Sequence, residues 1–230
     1  MNNLLIKIYS EKLVSNIQSK INKAGLSNKI DAYDYLNCKF IFLLILFFVI
    51  LLNNDYGYIL SPIISLLYIL FIDYLILGIK INNRSKKLDY EALYFFEVLT
   101  LTLESGRNLE KSLWVTVDNI DSELSCEFRK TLEEVKYGKS LMEALVDMKK
   151  RIPSETINNI ILNITQTSMF GSGILETLYN QVDFLRDKQL LDVKEQINKI
   201  PNKISIISVI FIVPIILVLI LGPFIINYIG

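Results

Sequence analysis

Gly106-Arg107-Asn108-Leu109-Glu110-Lys111-Ser112-Leu113 is the first of three copies of one pattern, Gly-x-x-(Leu/Ile)-x-x-(Ser/Thr/Ala)-Leu. The second is Gly138-Lys139-Ser140-Leu141-Met142-Glu143-Ala144-Leu145, and the third is Gly171-Ser172-Gly173-Ile174-Leu175-Glu176-Thr177-Leu178. The copies start 32 and 33 residues apart, a period that suggests stacked helical hairpins. Each Gly follows an amphipathic stretch and can take the left-handed conformation that ends a helix. Gly106, Gly138 and Gly171 are therefore read as structural turn glycines. Asn108, Ser140 and Ser172 can cap the helices that follow, and Ser140 with Glu143 makes a capping box. Gly turns are common in helical proteins, so the pattern needs support from the segments around it.

Those segments read as six helices over residues 84–200. Leu93, Phe96, Leu99 and Leu103 mark the first, which is apolar nearly all round and so central. Its stretch Val98–Leu103 also alternates like a strand, but a lone strand without a partner is the weaker reading. Leu109, Leu113 and Val117 mark the second helix, and Leu124, Phe128, Leu132 and Val135 the third. Leu141, Ala144, Leu145 and Met148 give a short fourth, ending before Pro153, and Ile157, Ile160, Ile161 and Ile164 the fifth. The sixth is long. Leu178, Val182, Leu185, Val193, Ile197 and Ile200 keep a stripe up to Pro201, close to a further apolar segment.

Charge placement says where these helices sit. The 230 residues are 52% hydrophobic with no net charge. No Lys or Arg occurs between Phe40 and Ile79 or after Lys203; six of the 24 lie in residues 1–39 and eighteen in 80–203. Cytoplasmic loops carry such an excess, which puts both blocks inside and the Asn53–Gly57 turn outside. Phe40–Leu52 is an apolar run of 13 residues, short for a span, and borrows its flanks to cover about 37–54, with Lys39 snorkelling to the headgroups. A second span covers about 58–81 and a third 204–229. Three spans leave the N-terminus inside and the C-terminus outside. The expected fold is an all-α membrane protein: a cytoplasmic six-helix bundle of three helical hairpins with three transmembrane helices.

The chain divides accordingly into residues 1–36, a transmembrane hairpin at 37–82, the helical domain at 84–200 and the last span at 204–229. Residues 1–24 can form an amphipathic helix with Leu13, Ile17, Ile21 and Ala24 on one face. Its lysines suit an anionic membrane surface, and packing on the chain's own bundle suits it equally well. The first 15 residues hold no apolar core or cleavage site, so no signal peptide is expected. Cys38 and Cys126, both on the inner side, should be reduced.

Asp73 lies roughly 10 Å inside the inner boundary, counting 1.5 Å per residue from Lys80. An ionisable group there is a functional candidate by default. The favoured reading is structural, a pairing with Asn or Ser of a neighbouring helix or a lean toward the interface.

The chain has no histidine, which removes Ser-His-Asp and Cys-His catalysis and histidine metal sites. Gly138-Lys139-Ser140 looks like the end of a phosphate loop, but Glu133 stands where that loop needs Gly, and no strand precedes it. Glu133-Glu134 and Glu97/Glu104 read as solvated faces. No catalytic residue, cofactor or metal site is expected, and the balanced charge of residues 80–203 argues against a nucleic-acid face.

The run Ala92-Leu93-Tyr94-Phe95-Phe96-Glu97-Val98-Leu99, followed by Glu104-Ser105-Gly106, Leu109 and Ser112-Leu113, resembles the type II secretion system F family domain. The second and third copies of the Gly pattern, Arg186 in Phe184-Leu185-Arg186, and Val213-Pro214 to Gly222-Pro223 match its later parts. Lys23-Ala24-Gly25-Leu26 before a membrane hairpin is similar to the Tad (tight adherence) pilus platform proteins. The larger relatives carry two cytoplasmic domains and this chain one, so the resemblance implies a paralogous subunit or a homo-oligomer. It implies a platform for pilus or pseudopilus assembly that docks a hexameric secretion ATPase and receives pilin or pseudopilin subunits in the lipid bilayer. Glu104, Arg107, Lys139 and Arg186, near helix turns, are the candidate partner contacts. Two other readings are a small transporter or channel subunit using Asp73, Ser65, Pro62 and Pro214, and a sporulation membrane protein with the same domain.

Overall fold

The computed structural model describes residues 10–27, 29–53, 57–170 and 173–229. Gly171, Ser172, most of the turn between the first two spans and the first nine residues of the amphipathic segment lie outside them. All the described regular structure is helical: α1 (Glu11–Lys23), α2 (Ala32–Asn53), α3 (Gly57–Asp73), a π-helical segment (Tyr74–Gly78), α4 (Ile79–Glu104), α5 (Leu109–Asn119), α6 (Glu123–Lys136), α7 (Leu141–Arg151), α8 (Glu155–Phe170) and α9 (Ile174–Ile229). The alternating stretch Val98–Leu103 is part of α4. Among the described residues, three helices are long and apolar enough to cross a membrane, Ala32–Leu52, Gly57–Glu104 and Ile174–Leu221.

The second of these differs from expectation. The second span and the first helix of the following domain form one rod of 48 residues. The expected division between the hairpin, ending at 82, and the helical domain, beginning at 84, falls within polar helix; the rod carries Pro62 inside α3 and a widened π turn at Tyr74–Gly78. Such a turn inserts a residue without breaking the helix.

Two compact units divide the chain, one ending at Val182 and the other beginning at Asp183. In the first, α4 packs against α5, α6 and α8, and α5 to α8 pack each on the next. Phe95, Phe96 and Phe128 meet at its centre, Phe95 stacked on Phe128 with centroids 4.5 Å apart and Phe96 edge-on to both. Leu88, Ala92, Leu99, Leu113, Leu124, Leu132, Leu145, Met148, Ile157, Ile160 and Ile161 close the core around them. A void of about 10 Å³ beside Phe128 is smaller than a water molecule needs.

Ile17 and Ile21 are buried with Ala32 and Leu77, so α1 packs on the start of α2 and on the π segment, and it also meets α7. Leu13, expected on the same face, is exposed.

The second unit is the remainder of α9. Of the apolar stripe expected along this helix, Leu178, Val182 and Leu185 are buried, whereas Val193, Ile197 and Ile200 are more than half exposed.

Candidate functional site

Gly106 and Gly138 have φ of +84° and +102°, conformations that L side chains rarely adopt. At the second turn the Gly138 N–H reaches the Val135 carbonyl at 2.9 Å and the Lys139 N–H the Glu134 carbonyl at 3.3 Å, a Schellman closure. Asn108 then caps α5 through the Lys111 N–H at 2.9 Å, and Ser140 caps α7 through the Glu143 N–H at 3.3 Å.

These turns converge. An open groove of about 510 Å³ is lined by Leu103, Arg107, Asn108, Leu109 and Glu110 from the first copy and its approach, Leu141 and Met142 from the second, and Ile174 from the third with Ser168 just before it. Its lining combines apolar Leu103, Leu109, Leu141, Met142 and Ile174 with an exposed cation, Arg107, and an exposed anion, Glu110. Counting 1.5 Å per residue along α4, Leu103 lies roughly 35 Å beyond Lys80.

At the other end of α4, Arg84 joins four helices. Its Nε donates to Glu123 Oε1 at 2.6 Å and its Nη2 to Glu127 Oε1 at 2.9 Å. Its Nη1 donates to the carbonyls of Asn22, Lys23 and Arg151 at 3.2, 2.9 and 3.0 Å. Those carbonyls close α1 and α7, so a buried guanidinium satisfies two helix C-termini at once. Gly25, at φ +73°, leaves room for it: a Cβ there would stand 2.9 Å from Arg84 Nε. Burial pushes the Glu123 carboxyl up, but the Arg84 and Lys87 hydrogen bonds outweigh it and hold the group below the usual carboxylate range. Arg151 extends the network to Glu127 and, at 2.7 Å, to Glu134.

Lys139 is engaged within its own turn. Its ammonium donates to Glu134 Oε2 at 2.7 Å and to Asp147 Oδ2. Hydrogen bonds from Lys139, then from Lys150, lower Asp147 from its ordinary 3.8 to about 2. Glu134 is pushed up by burial and more strongly down by the Lys139 and Arg151 hydrogen bonds.

Between the first two apolar helices, Asp73 accepts from Tyr35 Oη and from Lys39 Nζ, each at 2.9 Å. Asp73 is thus paired, though by Lys39 and Tyr35 in place of Asn or Ser. Lys39 turns inward to it, with a side chain 14% exposed; the ion pair outweighs the reach to headgroups.

The four candidate contacts therefore separate. Glu104 and Arg107 stay exposed in the first turn, with Arg107 in the groove. Lys139 is held by two carboxylates, and Arg186 lies on α9 beside Asp183 at 3.4 Å. Gly171 falls outside the described residues, although its neighbours reach the groove. Sequence reasoning missed Arg84, Glu123, Glu127 and Arg151. The one available signal was Glu123 and Glu127 spaced by four on a helix that also needs a buried face.

The sequence profile of the family Type II secretion system (T2SS), protein F, matches residues 95–222, more than half of the chain. No curated protein and no solved structure matches it.

Proposed function

The chain belongs to the type II secretion system protein F family, and from that premise we propose that it is a non-enzymatic platform of the cytoplasmic (inner) membrane for pilus or pseudopilus assembly and protein secretion. On this reading it couples a hexameric cytoplasmic secretion ATPase to extraction and polymerisation of pilin subunits. Residues 84–200 form a cytoplasmic six-helix bundle, the N-terminus lies on the same side, and the C-terminus lies outside. The distribution of Lys and Arg supports that orientation.

The observation that carries the proposal is the 48-residue rod Gly57–Glu104. It leaves an apolar segment, runs through the helical core and ends beside the groove built by the turn repeats. A stiff helix of that kind passes a push at one end to the other. In this scheme the groove receives the ATPase, with Glu104 and Arg107 at its rim, and the apolar helices receive the pilin. Lys139 and Arg186, each beside carboxylates, are weaker contacts. A paralogous subunit or a second copy supplies the other domain of a two-domain platform.

The transporter reading loses its main support, since the carboxylate it needs is neutralised by Lys39. Protease added to intact cells tests the orientation: 84–200 should resist cleavage until the membrane is opened. Cleavage of that region from outside overturns it.

A further inference from the structure

Within the first unit, a pocket of about 370 Å³ opens where α1, α7 and α8 meet. Ser19 and Lys23 of α1, Val146, Lys149 and Lys150 of α7, and Asn158 of α8 line it. Three of these residues are cations and none is a carboxylate. Lys150 is tied to Asp147 at 2.6 Å, whereas Lys23 and Lys149 have no ion pair among the described residues. Helix ends do not account for these lysines. A cation in a last turn commonly serves the open carbonyls there, but the Asn22, Lys23 and Arg151 carbonyls that close α1 and α7 already accept from Arg84.

Asn158 adds a second demand. Its Nδ2 donates to the Ile152 carbonyl at 3.2 Å, while its buried Oδ1 accepts from none of the described residues. A buried acceptor without a donor is costly, so the pocket suits a ligand that brings an anion and a hydroxyl together. Its position names the source. Lys80 ends the apolar stretch, and Arg84 stands four residues past it, about 6 Å along the helix axis. Arg84 in turn holds the Lys23 and Arg151 carbonyls directly. That distance is less than the about 8 Å over which anionic headgroups attract a cation at physiological salt.

We infer that this pocket binds the headgroup of an anionic, hydroxyl-bearing phospholipid of the phosphatidylglycerol class, with Lys23 and Lys149 on the phosphate and Asn158 Oδ1 accepting from a headgroup hydroxyl. Phosphatidylcholine offers neither net charge nor donor and should not compete. The site rests on the placement of α2 and α3 in a bilayer, and it stands whatever binds the groove.

Native mass spectrometry of the full-length chain, purified in detergent and titrated with phosphatidylglycerol or phosphatidylcholine, reads the occupancy. Phosphatidylglycerol should be retained at least tenfold more than phosphatidylcholine. Lys23→Gln with Lys149→Gln should weaken that retention at least tenfold, with an unchanged thermal melt. Lys12→Gln with Lys86→Gln removes the same charge from exposed residues outside the pocket and should leave retention intact. Lys23→Arg with Lys149→Arg should also retain the lipid, which separates loss of charge from loss of fold. Equal weakening by the two glutamine pairs reduces the site to diffuse attraction and overturns it, as does equal retention of both lipids. Soluble glycerol 3-phosphate retained as well as the lipid makes the occupant a free phosphate ester and overturns the lipid assignment. Alkaline carbonate extraction keeps the two readings apart. A chain released from membranes contradicts the bilayer placement, whereas one that stays but does not prefer phosphatidylglycerol contradicts the site alone.

Discussion

Arg84 and Glu127 form an ion pair, Nη2 to Oε1 at 2.9 Å, in which both side chains are only 6% exposed. Removing one partner of such a pair leaves a charge without compensation in the core, a loss of about 3–5 kcal/mol. Arg84→Met should therefore cost at least about 3 kcal/mol in chemical or thermal unfolding of the detergent-solubilised chain. Arg84→Lys keeps the charge but cannot span Glu123, Glu127 and three carbonyls, so it should recover only part of the loss. A methionine variant as stable as the natural chain would remove Arg84 from its place as the junction of α1, α4, α6 and α7.

Gly25, Gly106 and Gly138 share a positive φ but not an environment. A Cβ at Gly106 or Gly138 meets nothing within 4 Å, whereas one at Gly25 meets the Arg84 side chain. Gly138→Ala should cost only the backbone term, about 1–2 kcal/mol. Gly25→Ala should cost more, because Arg84 must move as well. The comparison is made by melting the two variants side by side, and equal losses would contradict it.

Acid sensitivity should come from the turn around Lys139. Asp147 and Glu134 both have lowered folded-state pKa values, so the unfolded chain binds more protons as pH falls. Their contribution is fully present above the ordinary carboxylate range and is lost as pH drops toward about 2, where Asp147 titrates. Lys139 is raised by hydrogen bonds to Asp147, then Glu134; its share is whole below its ordinary 10.5 and disappears above it. Lys139→Ala should flatten the fall in melting temperature between about pH 5 and pH 2. An unchanged acid slope would show that the turn is not coupled to stability.

The hairpin offers a test inside the apolar region. Asp73→Asn leaves the Lys39 ammonium the Ile69 carbonyl, at 3.4 Å, but no counter-charge, a cost of about 3 kcal/mol. Lys39→Met with Asp73→Leu should restore most of it. If secretion or pilus output depended on the carboxylate itself, the double variant would stay inactive despite its recovered stability.

Much of this architecture was legible in the sequence, for reasons that particular residues make clear. Leu124, Phe128 and Leu132 announce α6 because a helix repeats its buried face every three or four residues. Gly106 and Gly138 announce turns because few other residues tolerate their backbone. What stayed hidden depends on distance along the chain. Arg84 draws partners from 61 to 67 residues away in α1 and α7, and no local pattern encodes that. The Asp73–Lys39 pair depends on how α2 and α3 are registered, which hydrophobicity alone does not set. The continuity of α3 with α4 was not legible because Asn82, Asn83 and Arg84 end the apolar stretch, and a change from apolar to polar marks a boundary without showing whether the helix stops there. The groove was half visible: the repeat gave its three edges without showing that they meet.

The groove at the turn repeats is the proposed docking place for a secretion ATPase. The direct measurement is capture of a purified hexameric secretion ATPase by the full-length protein in native membranes. It compares the natural groove with Arg107→Glu combined with Met142→Asp. The account predicts capture by the natural chain and at least a tenfold loss in the variant, with an unchanged melt. Equal capture by both, with the fold intact, would contradict it.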